Sequence, residues 1–279
     1  MSISQNSSAA APQQEADTLT THYIGQVGFL FKRHGLTVVI DPYLSDSGAE
    51  ANPIWVRNYP APVKADSLHG VDLVLCTHDH GDHTDPASLR GILAASPKCR
   101  FAGPKQSVKE MERAGIPSSQ ITVLNEGVGL TLQDLKIEPI AAAHEDYEKD
   151  SAGHHRYLSY LLHWGGITLF HAGDTLVTPE LEKAVGRTSI DIGFLPINGR
   201  SEERRKLDIV GNMDSAEAIQ FATRLARNKG FHLLVPTHYD LYSINDAKLA
   251  HFFGLWENTP EPKPSVKAFR PGEKIVSIL

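Results

Sequence analysis

The chain has 279 residues, of which 41% are hydrophobic, so it can bury the core of one large α/β domain or of two smaller ones. Its formal net charge of −6 argues against a protein that binds nucleic acids or membrane surfaces through its overall charge. The two cysteines, Cys76 and Cys99, form no CxxC pair, which excludes a disulfide framework and a thiolate zinc knuckle and favours the reducing cytoplasm.

The first 18 residues are rich in Ser, Ala and Gln and lack the basic and apolar regions of a signal peptide. This composition predicts a disordered tail. No run of residues approaches the roughly 18 to 20 apolar residues of a membrane span. No later stretch is rich enough in Pro, Gly or charge to divide the chain, so we expect a single domain over residues 19–279.

Short apolar runs bounded by turn residues predict the strands. They lie at 22–31, 36–41, 71–77, 121–124, two within 129–142, 157–163, 167–171, 192–197, 233–236 and 274–279. The segment Arg33-His34-Gly35 predicts a hairpin between the first two strands. Helices are predicted at 85–95, 105–114, 179–185, 214–230 and 245–256, and Asp214 with Glu217 has the spacing of a capping box. The mixture predicts an α/β fold of mixed sheets covered by helices.

Residues 77–83, THDHGDH, contain three histidines and two aspartates, and they follow an apolar strand pattern. His78 and His80 are two positions apart, so on an extended backbone both rings face the same way and can bind one ion. Gly81 permits a sharp turn that re-aims the next two side chains toward a second ion. A solvated polar loop is the alternative, but it does not call for this density of metal-binding side chains.

Three more candidate ligands, His144, Asp174 and His238, each follow an apolar strand pattern farther along the chain. Each residue alone is most simply an ordinary loop residue. Together with residues 77–83, they complete two coordination spheres.

The motif HxHxDH, followed by a distant His, an Asp and a final His, resembles the pattern of the metallo-β-lactamase-fold hydrolases. The match begins at Asp41, which corresponds to an early buried aspartate of that family, and it spans nearly the whole chain after the tail. The resemblance implies a four-layer αββα sandwich of two mixed β-sheets flanked by helices. It also implies that His78, His80 and His144 hold one metal ion, that Asp82, His83 and His238 hold the other, and that Asp174 bridges them.

Such a site implies hydrolysis by a hydroxide that bridges the two divalent ions, with the ions stabilising the oxyanion. Asp82 is the ligand best placed to orient the hydroxide and is the predicted catalytic residue. Three residues are expected to hold ligands in place without binding an ion, namely Asp41, His171 and Asp240. The imidazoles favour zinc, iron or copper over magnesium, while the carboxylates and the absence of thiolates leave manganese open, and the predicted cofactors are two ions of zinc or manganese.

Three short segments, at 195–200, 211–213 and 236–240, resemble the branch of this family typified by L-ascorbate-6-phosphate lactonase. That resemblance implies a small anionic or phosphorylated lactone or ester as substrate. Asn198 and Arg200 are the predicted substrate-binding residues, with Arg200 beginning a basic group that could anchor a phosphate. Glu202 and Glu203 interrupt this group, so a solvated loop of mixed charge is equally consistent with the sequence.

Two other functions remain open at this stage. A phosphodiesterase or nuclease could use the same metal centre, although the acidic net charge disfavours nucleic-acid binding. A non-catalytic metal-binding module is the alternative from a different class, which a degenerate ligand set would have favoured. We expect a small-molecule substrate with neither a nucleic-acid nor a membrane partner, and the sequence leaves a homo-oligomer open.

Overall fold

Residues 18–277 are described by a computed structural model, in which strands and short helices alternate. The strands are β1 (Leu19–Gly25), β2 (Gly28–Arg33), β3 (Leu36–Ile40), β4 (Leu73–Leu75), β5 (Arg100–Gly103), β6 (Ile121–Val123), β7 (Leu130–Leu132), β8 (Leu135–Ala141), β9 (Leu158–Trp164), β10 (Ile167–His171), β11 (Ile190–Pro196), β12 (Phe231–Thr237), β13 (Ser265–Val266) and β14 (Lys274–Ser277). The predicted tail falls, except for Thr18, outside the described residues.

The helices are α1 (Ser47–Ala51), α2 (Pro86–Ala95), α3 (Ser107–Arg113), α4 (Pro179–Val185), α5 (Glu202–Arg205), α6 (Ser215–Asn228) and α7 (Leu249–Glu257). Single turns of 3₁₀-helix lie at Pro53–Trp55, Ala65–Ser67 and Ser118–Gln120. Within the described part of the chain, none of the helices has the length and apolarity that crossing a membrane requires.

Two seven-stranded sheets form the centre of the molecule, in the orders β14-β1-β2-β3-β4-β5-β6 and β13-β12-β11-β10-β9-β8-β7. In the first sheet, β3 to β6 are parallel and the strands on the other side are antiparallel. The second sheet is likewise mixed, with β10 to β13 parallel and β7 to β10 antiparallel. The predicted architecture of two mixed sheets is confirmed.

Successive side chains along a strand point to opposite faces of the sheet, so the side chains of the first sheet belong to two separate cores. The core shared with the second sheet contains Phe29, Phe31, Val38, Ile40, Leu73 and Leu75. The intervening residues Leu30, Val39 and Val74 belong to another core, together with Leu89 and Ile92 of α2 and Met111 of α3. The first sheet is therefore buried on both faces, by the second sheet and by helices.

Helix α6 covers the outer face of the second sheet. It begins at the predicted capping box, in which the Asp214 carboxylate accepts from the Glu217 amide at 2.9 Å and the Glu217 carboxylate accepts from the Asp214 amide at 2.9 Å. Phe221 on this helix packs against Phe170 of β10, with ring centroids 6.2 Å apart. This layer completes the four-layer sandwich.

The prediction of one strand over 22–31 is wrong. The chain forms a tight hairpin there, because Gly25 and Gln26 adopt positive φ angles of 100° and 58° between β1 and β2. Both strands are largely buried and the turn is very short, so Gln26 is the one polar residue that interrupts the apolar pattern. The hairpin between β2 and β3 is confirmed, with Leu36 paired to Arg33.

The two sheets are linked at the end of β4. The Tyr160 hydroxyl, from the second sheet, donates to the Cys76 carbonyl at 2.7 Å, and the Leu158 amide donates to the Thr77 carbonyl at 3.0 Å. These bonds fix the distance between the loop after β4 and the second sheet. The candidate ligands lie at this junction.

Gly193 of β11 tests the close packing of the second sheet. A Cβ at this position would overlap the buried ring of Phe231, so Gly193→Ala is expected to destabilise the protein by roughly 1 to 3 kcal/mol. Gly254→Ala in α7 is the control, because a Cβ there meets no atom within 4 Å. That control should keep or raise stability by up to about 1 kcal/mol. Urea unfolding measures both, and equal midpoints would refute the packing argument.

Candidate metal centre

The seven candidate ligands all follow the carboxyl ends of strands. Residues 78–83 follow β4 of the first sheet, whereas His144 follows β8, Asp174 follows β10 and His238 follows β12 of the second sheet. The structure brings them together across the junction of the sheets. Most are almost fully buried, including His78 and His83, and His80 and Asp82 are partly exposed.

Three groups of these side chains have ligand atoms within 4.8 Å of one another. The groups are His78, His80 and His144; His78, His83 and Asp174; and Asp82, His83 and His238. The first and third are the two sets that the family resemblance implies. The second joins them, because it shares a residue with each.

The Asp174 carboxylate lies between the two sets. Its Oδ2 atom is 3.7 Å from Nε2 of His144, 3.5 Å from Nε2 of His83 and 3.3 Å from Nε2 of His238. Two donors that each lie about 2.0 to 2.2 Å from one ion at a tetrahedral angle are about 3.3 to 3.6 Å apart. The observed spacings therefore suit a carboxylate shared between two ions.

Several polar atoms of the cluster are buried without a hydrogen-bond partner among the described residues. They are Nε2 of His78, Nε2 of His83 and Oδ1 of Asp174. Such groups ordinarily cost about 1 to 3 kcal/mol each when they are left unpaired. A set of imidazole and carboxylate lone pairs facing one another fits divalent cations, so the residues present suit the metal ions that the fold family implies.

Hydrogen bonds on the far side of two rings direct their Nε2 atoms into the cluster. The His83 Nδ1 atom lies 2.9 Å from the Asp41 carboxylate, and the His144 Nδ1 atom lies 3.0 Å from the Gly211 carbonyl. An Nδ1–H donated to these acceptors leaves the Nε2 lone pair free for a metal ion.

The electrostatics of the cluster also favour bound cations. Burial lowers the pKa of His144 to about 4 and that of His78 well below its usual value, so these rings are neutral at pH 7. Burial also acts to lower the pKa of His83, but the charges of Asp174, Asp82 and Asp41 outweigh it and raise that pKa well above its usual value. The three carboxylates therefore stabilise a positive charge at the position of His83. A metal ion bound to the neutral ring would place a positive charge there.

Asp41 is fully buried and directly follows β3. Its carboxylate accepts from the Thr77 amide at 2.7 Å and from the Thr77 hydroxyl at 2.6 Å, in addition to its contact with His83. The structure thus places Asp41 behind the ligands, where it holds both the loop and one ring.

Gln26 is a site residue that the sequence did not single out. Its Nε2 atom donates to Asp82 Oδ2 at 2.8 Å and lies 3.3 Å from His238 Nε2. Its backbone carbonyl accepts from the His238 amide at 3.0 Å. The only sequence signal was Gly25, which permits the turn that brings Gln26 into the cluster; a strand over 22–31 concealed it.

The other two residues expected to hold ligands differ in their placement. His171 is buried, and its Nε2 atom lies 2.8 Å from the Val27 carbonyl while its Nδ1 accepts from the Gly173 amide at 3.2 Å. It therefore orders the turn that carries Asp174. Asp240 is exposed, and no hydrogen bond joins its carboxylate to a ligand among the described residues. Its backbone, with a φ of 62°, bends away after His238.

A cavity of about 360 Å³ opens beside the cluster. His80, Asp82, His144, Asp174 and His238 contribute to its lining. The remaining lining comes from segments 47–55, 208–210 and 242–245, which are far apart in the sequence. The volume lies within the range of small-molecule sites.

The two predicted substrate-binding residues are not part of that lining. Arg200 donates to both carboxylate oxygens of Glu217, at 2.7 and 2.8 Å, and to the Asn212 carbonyl at 3.1 Å. Asn198 is buried and bonded to Asn245 and to Asn212. Both residues brace the loop beside α6 in this structure, because neighbouring polar groups already take up their hydrogen bonds.

Comparison with known proteins is consistent with this geometry. Residues 37–239 match the sequence profile of the beta-lactamase superfamily domain, which includes all seven candidate ligands. The probable L-ascorbate-6-phosphate lactonase UlaG of Escherichia fergusonii is 24% identical over 273 residues, covering 86% of this chain and 75% of that protein. A UPF0173 metal-dependent hydrolase of Saccharolobus solfataricus is 27% identical over 239 residues, covering 85% and 91%.

Among solved structures, the metallo hydrolase Igni18 from Ignicoccus hospitalis superposes with a TM-score of 0.67 at 22% identity. The superposition covers 93% of this chain and 98% of that one. This similarity shows the fold.

Gln26→Ala is expected to weaken metal binding about 10- to 100-fold, because Asp82 loses the donor that orients it. Competition with a chromogenic chelator measures the dissociation constant. Gln220→Ala, on the exposed face of α6, is the matched control and should bind metal as the unmodified protein does. An unchanged dissociation constant for Gln26→Ala, with an equal loss of thermal stability in the presence and absence of metal, would show that Gln26 acts only on the fold.

Proposed function

The chain belongs to the beta-lactamase superfamily and is a metal-dependent hydrolase, and we propose that it opens small lactones or esters at a centre of two divalent ions. The observation that carries the proposal is the pair of ligand sets joined by Asp174 Oδ2 beside a cavity of about 360 Å³. The lactonase named among the relatives supports the choice of an acyl bond.

Hydrolysis of a lactone forms a bond between a water oxygen and the carbonyl carbon and breaks the bond from that carbon to the ring oxygen. The leaving oxygen takes up a proton, and the product is a hydroxy acid. Divalent ions held by the seven ligands would supply Lewis acidity for the carbonyl oxygen and lower the pKa of the attacking water.

The protein's own groups position the reactants. Asp82 lines the cavity, and its Oδ2 atom is held by Gln26, so its other oxygen can orient the attacking water. The charges of His83 and His238 outweigh burial and lower the pKa of Asp82, which keeps it ionised. Tyr242 also lines the cavity, and burial together with the charge of Asp82 raises its pKa, so its hydroxyl stays protonated and can donate to an oxygen of the substrate.

Zinc or manganese is the proposed metal. The five imidazoles and two carboxylates favour transition metals over magnesium, and no thiolate is among the ligands to select a softer ion. We also propose a cytoplasmic protein, because Cys76 and Cys99 are buried free thiols. A small-molecule substrate suits the size of the cavity, and a homo-oligomer stays a prediction.

His80→Ala and Asp174→Ala are each expected to lower kcat/KM for lactones at least about 100-fold and to reduce the bound metal, because each removes a ligand. His251→Ala, on the exposed surface of α7, is the control. Metal content is measured by mass spectrometry, and turnover is measured before and after treatment with a chelator. Full activity in either ligand variant would overturn the two-ion mechanism.

The same purified protein distinguishes the alternatives on a panel of lactones, esters, phosphodiesters and β-lactams. Turnover of phosphodiesters alone would favour the phosphodiesterase. Full metal occupancy without turnover of any class would favour a metal-binding module.

A further inference from the structure

We infer that the substrate is an uncharged lactone or ester that carries a flat apolar group. This inference rests on the proposed function and concerns the part of the substrate that does not react. The acyl group must lie beside Asp82 and Asp174 to be attacked, so the rest of the molecule faces the other residues that line the cavity.

An aromatic wall forms one part of this lining. Trp55 and Tyr242 both line the cavity, with ring centroids 5.1 Å apart and planes at 65°. Tyr242 is backed by Tyr43 and Leu241 in a small hydrophobic cluster of its own. A wall fixed in this way can pack against a flat apolar group without reorganisation.

Apolar residues from a second segment also face the cavity. Ile209 and Val210, which follow α5, contribute aliphatic side chains to the lining. At the neighbouring positions in the two lining segments, Ile54, Val56 and Leu207 are exposed, at 38%, 58% and 48%. The lining itself combines these apolar side chains with the neutral polar side chains of Ser47, Asn52 and Asn245.

Charge within the cavity opposes an anionic group. Among the described residues that line it, none is Lys or Arg, and Asp208 is the charged residue outside the ligand set. The residues that the structure does not describe, 1–17 and 278–279, contain no Lys or Arg either. Buried or partly buried anions require a paired cation, and this lining provides none apart from the metal centre.

Arginines outside the lining donate to groups of the protein itself. Arg57 donates through Nη1 to the carbonyls of Tyr43 and Ser45 at 3.0 Å each, and its Nη2 atom is buried without a partner among the described residues. Arg156 binds the Asp79 carboxylate at 2.8 and 3.2 Å. An incoming phosphate would have to expose the buried Arg57 nitrogen, or break the pair of Arg156 with Asp79 or of Arg200 with Glu217, before it could bind.

Two further basic residues of α5 also donate hydrogen bonds to other groups of the protein. Arg204 donates to the carbonyls of Asn198 and Asp246, and Arg205 pairs with Glu145. Lys206 is exposed and is not part of the lining, so its ammonium is solvated. The sequence suggested this basic group as a phosphate anchor. In the structure, Arg200, Arg204 and Arg205 bind groups of the protein and hold the loops around the cavity.

Dihydrocoumarin, an uncharged aryl lactone, tests the inference against the same lactone carrying a carboxylate or a phosphate on its ring. We expect kcat/KM to be roughly five- to tenfold higher for the uncharged compound, the effect of one unit charge at about 4 Å in water. Asp208→Asn should narrow this ratio, and Asp66→Asn, at an exposed acid outside the cavity, should not. Arg200→Ala and Lys206→Ala should change KM for the charged and the uncharged lactones by the same factor, because neither side chain lines the cavity.

Trp55→Ala is expected to raise KM for dihydrocoumarin about tenfold more than KM for δ-valerolactone, which has no aromatic ring. Trp55→Phe keeps an aromatic wall, so its KM for dihydrocoumarin should lie close to that of the unmodified protein. Such a result would show that the higher KM of Trp55→Ala does not come from misfolding. Binding is measured separately by calorimetry with chroman and chroman-6-carboxylate, which cannot be hydrolysed. Chroman should bind more tightly.

The outcomes separate this inference from the proposed function. Chelator-sensitive turnover with a preference for the uncharged lactone supports both. Turnover with a preference for the carboxylate or phosphate, or a rise in KM that is confined to these charged compounds in Arg200→Ala, overturns the inference and leaves the lactonase in place. No turnover of any lactone or ester overturns the proposed function and this inference with it.

Discussion

The buried Asp41 carboxylate is the interaction on which the site depends. It receives three hydrogen bonds, two from Thr77 and one from His83, and so joins the end of β3 to the loop after β4. A buried carboxylate that lost these donors would be costly, which makes the loop conformation and the carboxylate mutually dependent. Because the loop between Thr77 and His83 carries four ligands, one side chain orients half of the metal centre without touching a metal ion.

The other ligands depend on how the two sheets pack. Phe29 of the first sheet contacts Phe194 of the second, with ring centroids 4.5 Å apart, and the rigidity of such a core fixes the distance between the strand ends. Across that junction Asp174 lies 3.5 Å from His83, and His238 forms a group with Asp82 and His83. Gln26 completes the link, since its turn belongs to the first sheet and its carbonyl binds the His238 amide. Metal affinity and global folding are therefore coupled through the same contacts.

The sequence predicted the layered fold because the strands bury both faces and the helices carry clear caps, as at Asp214. It also predicted the seven ligands that the structure brings together, because four of them are adjacent in the chain and the others follow apolar strands. Gln26 was missed because the turn Gly25-Gln26 is short and both flanking strands are largely buried, so one polar residue between apolar runs was included in a single strand. Asp240 follows a candidate ligand in sequence yet is exposed, with a φ of 62°. The apolar patterns in the sequence therefore identified where strands end. They did not show where the chain goes after each strand.

The cavity lining could not be inferred in the same way, because it combines segments separated by about 150 residues. Trp55 and Ile209 share no motif and meet only in the folded protein. The basic group beginning at Arg200 had a clear pattern, yet its guanidinium groups bind carboxylates and carbonyls that lie far away in sequence or on the next helix. A charged motif predicts ligand binding only when the fold leaves its donors unpaired. Here the candidate metal ligands follow strand ends and the rest of the cavity wall comes largely from loops, so the proposed reaction and the proposed substrate preference depend on separate parts of the chain.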